Sequence, residues 1–220
     1  MARELRRPKS AAEFNAVDLP VTEKTLAGSW WNLRWRKYSA RSYYFYSTLS
    51  GRLTPSSEKV PCLYLARNRE TSFYEIYGDD LYVASAKNVN LRLAKSEFEN
   101  RVLMKTLKPL EVKLYDFATL RGAKRVGMDL GTLYAADVSY ARDFAQRIHD
   151  HPAKFDGIQY QSRHTQALCV VLWATHHLAL KKIDLELCDS LWDLAEAGPR
   201  IGAGVLRLFD AKFDVSTLSP

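Results

Sequence analysis

The sequence is poor in the residues that staple small secreted folds. Its 220 residues hold 3 cysteines, Cys62, Cys169 and Cys188, far apart along the chain, with Cys62 and Cys169 inside apolar runs. That usage suggests neither a disulfide framework nor a zinc pattern, and it fits a reducing compartment. Long apolar runs are also missing. A membrane-crossing helix needs about 20 consecutive apolar residues, whereas ALCVVLWATHHLAL at 167–180 is shorter and contains two histidines. The opening residues lack the apolar stretch of a signal peptide. The expectation is a soluble, cytoplasmic protein.

Several catalytic signatures are absent as well. GAKRVG at 122–127 has glycines at P-loop spacing but continues into Met128-Asp129 instead of Lys-Ser/Thr, and GPRIGAG at 198–204 lacks the preceding strand of a dinucleotide fingerprint. His149 with His151, and His176 with His177, have the wrong spacing to put two metal ligands on one helical face, so no metal site is expected. No serine sits in G-x-S-x-G, which leaves a hydrolase triad without support.

What the chain does have is core-forming and basic. A hydrophobic content of 47%, with 12% aromatics, is enough for a substantial core, and a formal charge of +7 favours anionic partners. Residues 1–28 are polar, mixed in charge and broken by Pro8 and Pro20, and read as an N-terminal extension; 29–220 reads as one domain.

SWWNLRWRKY, YYFYS and VPCLYLA are β-prone. RNRETSFYEIYGDD reads as a helix with Phe73, Ile76 and Tyr77 on one apolar stripe, Glu75 at its margin and Gly78 as a stop. LEVKLYDFA alternates Leu110, Val112 and Leu114 inward. SYARDFAQRIHDH is an amphipathic helix capped by Asp137 or Ser139. Asp156-Gly157 signals a turn before the alternating strand IQYQS, and ALCVVLW reads as a central strand. The final segment reads as a strand, a helix and one further short element. Strands lead and helices are interspersed irregularly, so the fold class expected is α+β, a single mixed β-rich domain with peripheral helices.

The chemistry-bearing residues that remain are Arg34 in NLRWRKY, Arg52 in LSGRLTP, Glu75, and the Ser162-Arg163 strand end. A guanidinium in a strand beside tryptophan is costly to bury without a partner, because it stays charged. Two readings of Arg34 stay open: an anion meets it, or Trp30, Trp31 and Trp35 stack on Arg34 or Arg36 by cation–π contact.

In order along the chain, Leu33-Arg34-Trp35, Gly51-Arg52, VPCLYLARNRETSFYEIYGDD and DGIQYQSRHTQALCVVLW resemble the motif series of the RES-domain family, named for its arginine, glutamate and serine. The resemblance runs over 31–173 and includes the YARDFAQRIHDHP helix. Two departures are visible. Leu53 stands where members usually carry Phe or Trp, and Arg36, two residues on, competes with Arg34 as the first arginine. Spacing to Phe45 in the degenerate FYS segment favours Arg34.

Members are typically the toxins of bacterial toxin–antitoxin pairs, NAD-destroying enzymes with a fold similar to ADP-ribosyltransferases. The resemblance therefore implies NAD as substrate without a metal, and a cognate antitoxin that inserts a segment into the cleft and links the chain to nucleic acid only indirectly. It implies Glu75 as the carboxylate that stabilises an oxocarbenium-like ribose or activates water or phosphate. Arg34 and Arg52 would hold the phosphates, and Ser162 the ribose or the nicotinamide amide. Tyr64 is a stacking or hydroxyl partner, or a core tyrosine. Ile158, Tyr160 and Ser162 share one strand face. Arg163 is expected on the other face, with either a solvent or a phosphate role. The alternatives are an ADP-ribosyltransferase acting on a macromolecule, and a non-catalytic nucleic-acid-binding module using Arg34, Arg36, Arg41, Tyr43 and Tyr44. A homo-oligomer stays open.

Overall fold

The computed structural model describes residues 11–15, 19, 21–39, 51–56, 60–119, 122, 126, 131, 138–174, 183–196, 205–209 and 211–216. YYFYS with Arg41, Tyr43 and Tyr44, Asp137, the His176-His177 pair, GPRIGAG and most of GAKRVG lie outside these residues. The described elements form an α+β fold. Strands β1 (Val21–Leu26), β6 (Leu110–Asp116), β7 (Gly157–Gln161), β8 (Leu168–Trp173), β3 (Cys62–Ala66), β2 (Trp31–Trp35), β5 (Arg101–Thr106) and β9 (Leu185–Ser190) lie in that order in an 8-stranded sheet. A smaller sheet joins β10 (Val205–Leu208), β11 (Ala211–Ser216) and β4 (Leu91–Ala94). The helices are α1 (Ala11–Asn15), α2 (Arg69–Ala86), α3 (Lys95–Asn100), α4 (Ser139–His149) and α5 (Leu191–Glu196).

The central strand ALCVVLW pairs on both sides, with β7 and with β3, and its side chains from Cys169 to Trp173 are buried because they alternate between two core clusters, one on each face. One sheet face is covered by α4, whose Ala141, Phe144, Ala145 and Ile148 pack against Ile158, Tyr160, Val171 and Trp173. That helix begins at Ser139 behind Val138, which makes no side-chain cap hydrogen bond, and Asp137, one of the two expected caps, lies outside the described residues. The opposite face gathers Leu63, Leu65, Val102, Met104, Val112, Leu114, Val170 and Leu172 into a second buried cluster, together with Leu26, Trp30, Ile183 and Leu185.

The segment read as an extension contributes to this core. Phe14 on α1 and Leu19 are buried against the α4 side, and β1 pairs antiparallel with β6, Leu26 opposite Leu110.

One break in the sheet positions everything that follows. β2 and β3 meet at a single register pair, Trp31 with Ala66. β3 instead stays with β8 from Cys62 opposite Trp173 to Ala66 opposite Cys169, and β2 stays with β5 from Trp31 opposite Lys105 to Trp35 opposite Arg101. The two strands diverge and leave an opening. Asn68 caps α2 beside it, its Oδ1 accepting from the Thr71 N–H at 2.7 Å. Phe73 and Tyr77 of α2 are buried against Leu33, Phe98, Leu103 and Phe213. Ile76, expected in the same stripe, is 37% exposed, and the helix runs through Gly78 to Ala86 instead of stopping there.

Candidate active site

The opening between β2 and β3 widens into a cavity of about 660 Å³, within the ~300–1,000 Å³ typical of small-molecule sites. Its walls are the two diverging strands, one face of α2, the turn Gly51–Thr54, and the turn that follows β7.

Glu75 projects from α2 into this space, and the Tyr160 hydroxyl donates to its Oε2 at 2.8 Å. Tyr160 ends the buried row of β7, packed with Ile158. Burial first, and then the Glu75 charge beside it, hold its phenol well above the ordinary value, so it stays a neutral donor. The carboxylate is thereby fixed by one oxygen, and Oε1 accepts no hydrogen bond from the described residues. The sequence pointed to Glu75. It did not point to Tyr160 as its partner, because a tyrosine in a buried row reads as core; the signal was a hydroxyl at the end of that row.

Tyr64 holds up a second wall. Its oxygen accepts from the Leu53 N–H at 3.1 Å and pairs with Thr54 Oγ1 at 3.2 Å. A Cβ at Gly51 would collide with that oxygen, so the turn can seat on Tyr64 only with glycine there. The Thr54 N–H donates to the Gly51 carbonyl at 3.3 Å, closing the turn, and Arg142 Nε of α4 donates to the same carbonyl at 3.2 Å. Arg52 is therefore held at the corner of a braced turn in the cavity wall, while Leu53 turns inward and is buried. Burial raises the Tyr64 phenol well above its usual range, with the nearby Cys62 and Glu75 adding to the rise. Tyr64→Phe is expected to cost about 1–2 kcal/mol, because it strips the Leu53 N–H of its partner; a urea melt of the variant against the wild type measures it.

Arg34 takes a different place from the one the motif suggested. It is 1% exposed and does not line the cavity. Its register partner is Val102, which belongs to the cluster on the opposite sheet face; directly opposed residues share a face. There its Nε donates to Asn32 Oδ1 at 2.5 Å, and Asn32 Nδ2 donates to the Tyr64 carbonyl at 2.9 Å, a chain that ties β2 to β3 beside their opening. Arg36 is not on that strand at all. It begins a 3-10 turn, Arg36–Tyr38, and its Nε donates to the Glu99 carbonyl.

The tryptophans are stacked by other arginines. The Arg67 guanidinium lies 5.6 Å from Trp30, Arg69 4.5 Å from Trp31 and Arg101 4.1 Å from Trp35. Of the residues in the nucleic-acid reading, Arg34 is buried, Arg36 is exposed with its Nε on the Glu99 carbonyl, and Arg41, Tyr43 and Tyr44 lie outside the described residues.

Ser162 is fully buried, and its Oγ accepts from the backbone N–H of His164 at 3.2 Å and Thr165 at 3.4 Å. This shapes the turn after β7, which the Thr71–Thr165 hydroxyl contact at 2.8 Å fastens to α2. The consequence falls on its neighbours. Arg163 and His164 line the cavity, and Arg163 pairs with Asp79 of α2. The imidazole of His164 lies on Gly78, where a Cβ would come within 2.6 Å of the ring. Burial first, then the adjacent Arg163 charge, lower its pKa, against the opposing pull of Glu75 and Asp79.

The cavity's two thiols are not poised to react. Burial pushes Cys62 up to about 12 and raises Cys169 further still. His149 and His151 are packing residues, their rings against Trp173, Phe155 and Phe14. Among the described residues, no group of three or more His, Cys, Asp or Glu is arranged to hold a metal ion, and no helix is long and apolar enough to cross a membrane.

Comparison with known proteins places these observations. The sequence model of the RES domain matches residues 23–195. No curated protein matches the chain. Among solved structures, the crystal structure of the M. tuberculosis MbcT-MbcA toxin-antitoxin complex is similar at a TM-score of 0.48 and 16% identity, over 77% of this chain and 85% of that chain.

Proposed function

Because the chain belongs to the RES-domain family, we propose that the cleft between β2 and β3 binds NAD and breaks its nicotinamide–ribose bond. The observation that carries this is the Glu75 carboxylate, held by the Tyr160 hydroxyl inside a cavity whose wall presents Arg52. When the bond breaks, its electron pair stays on the nicotinamide nitrogen and leaves that ring neutral. Positive charge develops on the ribose, as in glycoside cleavage. A fixed carboxylate beside the anomeric carbon stabilises that charge more than it stabilises the ground state, which is how binding becomes rate. The acceptor, water or inorganic phosphate, then adds at the same carbon.

Arg52 supplies the positive charge that a dinucleotide's phosphates require, without a glycine-rich loop. Arg52→Ala is expected to raise KM for NAD by roughly 10–100-fold with a smaller change in kcat, the worth of one charge-assisted contact. Initial rates over a range of NAD concentrations measure it. Arg34 and Ser162 act in this reading as braces, the first across the split strands and the second under the turn that carries Arg163.

The reading is a toxin-type activity and includes a protein antitoxin as partner, as the motif resemblance implies. Chromatography of NAD incubated with the purified protein, with and without phosphate, tests the reaction. ADP-ribose in both conditions means hydrolysis, and ADP-ribose 1″-phosphate only with phosphate means phosphorolysis. NAD intact in both conditions counts against the proposal. Label transferred from NAD to a protein or nucleic acid would select the macromolecular acceptor instead.

A further inference from the structure

Among the charged groups that line the cavity, Arg163 has no task in the proposed reaction. Arg163 lines the cavity, and the way it is held is specific. The turn after β7 is fixed from within by the Ser162 hydroxyl and by the Ser162 N–H donating to the Ala167 carbonyl at 2.8 Å, and from outside by Thr165 against Thr71. Arg163 Nε donates to His164 Nε2 at 3.3 Å, which requires the neutral imidazole with its proton on Nδ1. That ring in turn rests on Gly78. The guanidinium is therefore oriented before any ligand arrives, its stem fixed along one edge.

Its other edge meets Asp79, and this partner is weakly held. The Asp79 side chain is 64% exposed, against 30% for Arg163, and His164 Nε2 stands 3.6 Å from its second oxygen. An ion pair so open to water contributes little and is readily exchanged. A planar guanidinium that grips a carboxylate with its outer edge presents the same donor fork that phosphate oxygens accept.

We infer that Arg163 is a phosphate-binding residue of the cleft, and that the Asp79 carboxylate occupies the position a phosphate oxyanion takes on binding. This rests on the reading of the cavity as an NAD site, and it adds a residue outside the arginine–glutamate–serine series. The phosphate has two possible sources, the pyrophosphate of the dinucleotide and free inorganic phosphate acting as acceptor.

Calorimetric titration of the folded wild type, R163Q and D79N with ADP, adenosine and inorganic phosphate tests it. R163Q is expected to weaken ADP or inorganic phosphate about tenfold and to leave adenosine within about twofold. D79N is expected to tighten the same phosphate ligand, because its competitor has lost its charge. An effect on ADP assigns the site to the pyrophosphate, and an effect on inorganic phosphate alone assigns it to the acceptor. Wild type that binds neither phosphate probe, R163Q that leaves both affinities unchanged, or a loss shared equally by adenosine overturns the inference. Should R163Q fail to fold, D79N decides alone, and unchanged affinity there overturns it. Turnover of NAD is read separately. Phosphate affinity that depends on Arg163 in a protein that leaves NAD intact would keep this site and remove the NAD reading; NAD turnover with Arg163-independent affinities would do the reverse.

Discussion

Glu75→Gln is expected to lower kcat for NAD cleavage by about 10³-fold, the usual worth of a preorganised charge aimed at a developing one. Glutamine keeps the length and planarity of the side chain and can still accept from the Tyr160 hydroxyl, which now donates to Oε2 at 2.8 Å. What disappears is the negative charge. If that charge acts mainly on the transition state, KM should move little while kcat collapses. Glu75 is exposed to the cavity on α2 and contributes to no buried cluster, so the variant's melting temperature should stay near that of the wild type. Circular dichroism melts alongside the kinetics separate lost chemistry from lost fold.

Gly157→Ala is expected to cost about 3 kcal/mol of stability, at the upper end for overpacking a well-packed interior. A Cβ at this position would collide with the carbonyl oxygen of Val171 and come within 2.9 Å of its carbonyl carbon, both backbone atoms of the neighbouring strand. No rotamer change relieves such a contact; the ladder that pairs Gly157 with Leu172 and Leu114 must open. In a domain of this size the melting temperature should fall by roughly 6–12 °C. Because β7 presents Tyr160 to Glu75 and leads into the Arg163 turn, NAD cleavage should fall with it.

That glycine shows how far local patterns reach. Asp156-Gly157 reads as a turn, yet Gly157 opens β7, and the Asp156 carboxylate accepts from the Lys113 N–H of β6 at 2.7 Å. Close approach of a neighbouring strand and a hairpin turn both call for glycine, and only the pairing partner tells them apart. The helix carrying Glu75 was legible because its period is local. Its length was not, because Gly78 stays helical; a glycine costs such a helix about 1 kcal/mol, and here it gives the His164 ring a place to lie.

Strand alternation placed Arg34 on a definite side of β2 but could not say which side faces the cleft. The register with Val102 shows only which buried cluster that side joins, and Val102 lies far along the chain. The arginines that stack on the tryptophans were invisible for the same reason. Arg163 was misplaced by extending the alternation one step too far: β7 ends at Gln161, and beyond it the hydrogen bonds of the Ser162 hydroxyl set the direction of the next side chains. The order of the motifs was a better guide to the family than to which of their side chains enter the cavity.

The assignment of the cleft turns on one comparison. Nicotinamide release from NAD, followed over time with equal amounts of wild type and Glu75→Gln protein of matched folded fraction, should be rapid with the wild type and slower by about 10³-fold with the variant. No release by the folded wild type, or equal release by both proteins, would contradict the assignment of the β2–β3 cleft and its Glu75 carboxylate as the centre that breaks the nicotinamide–ribose bond.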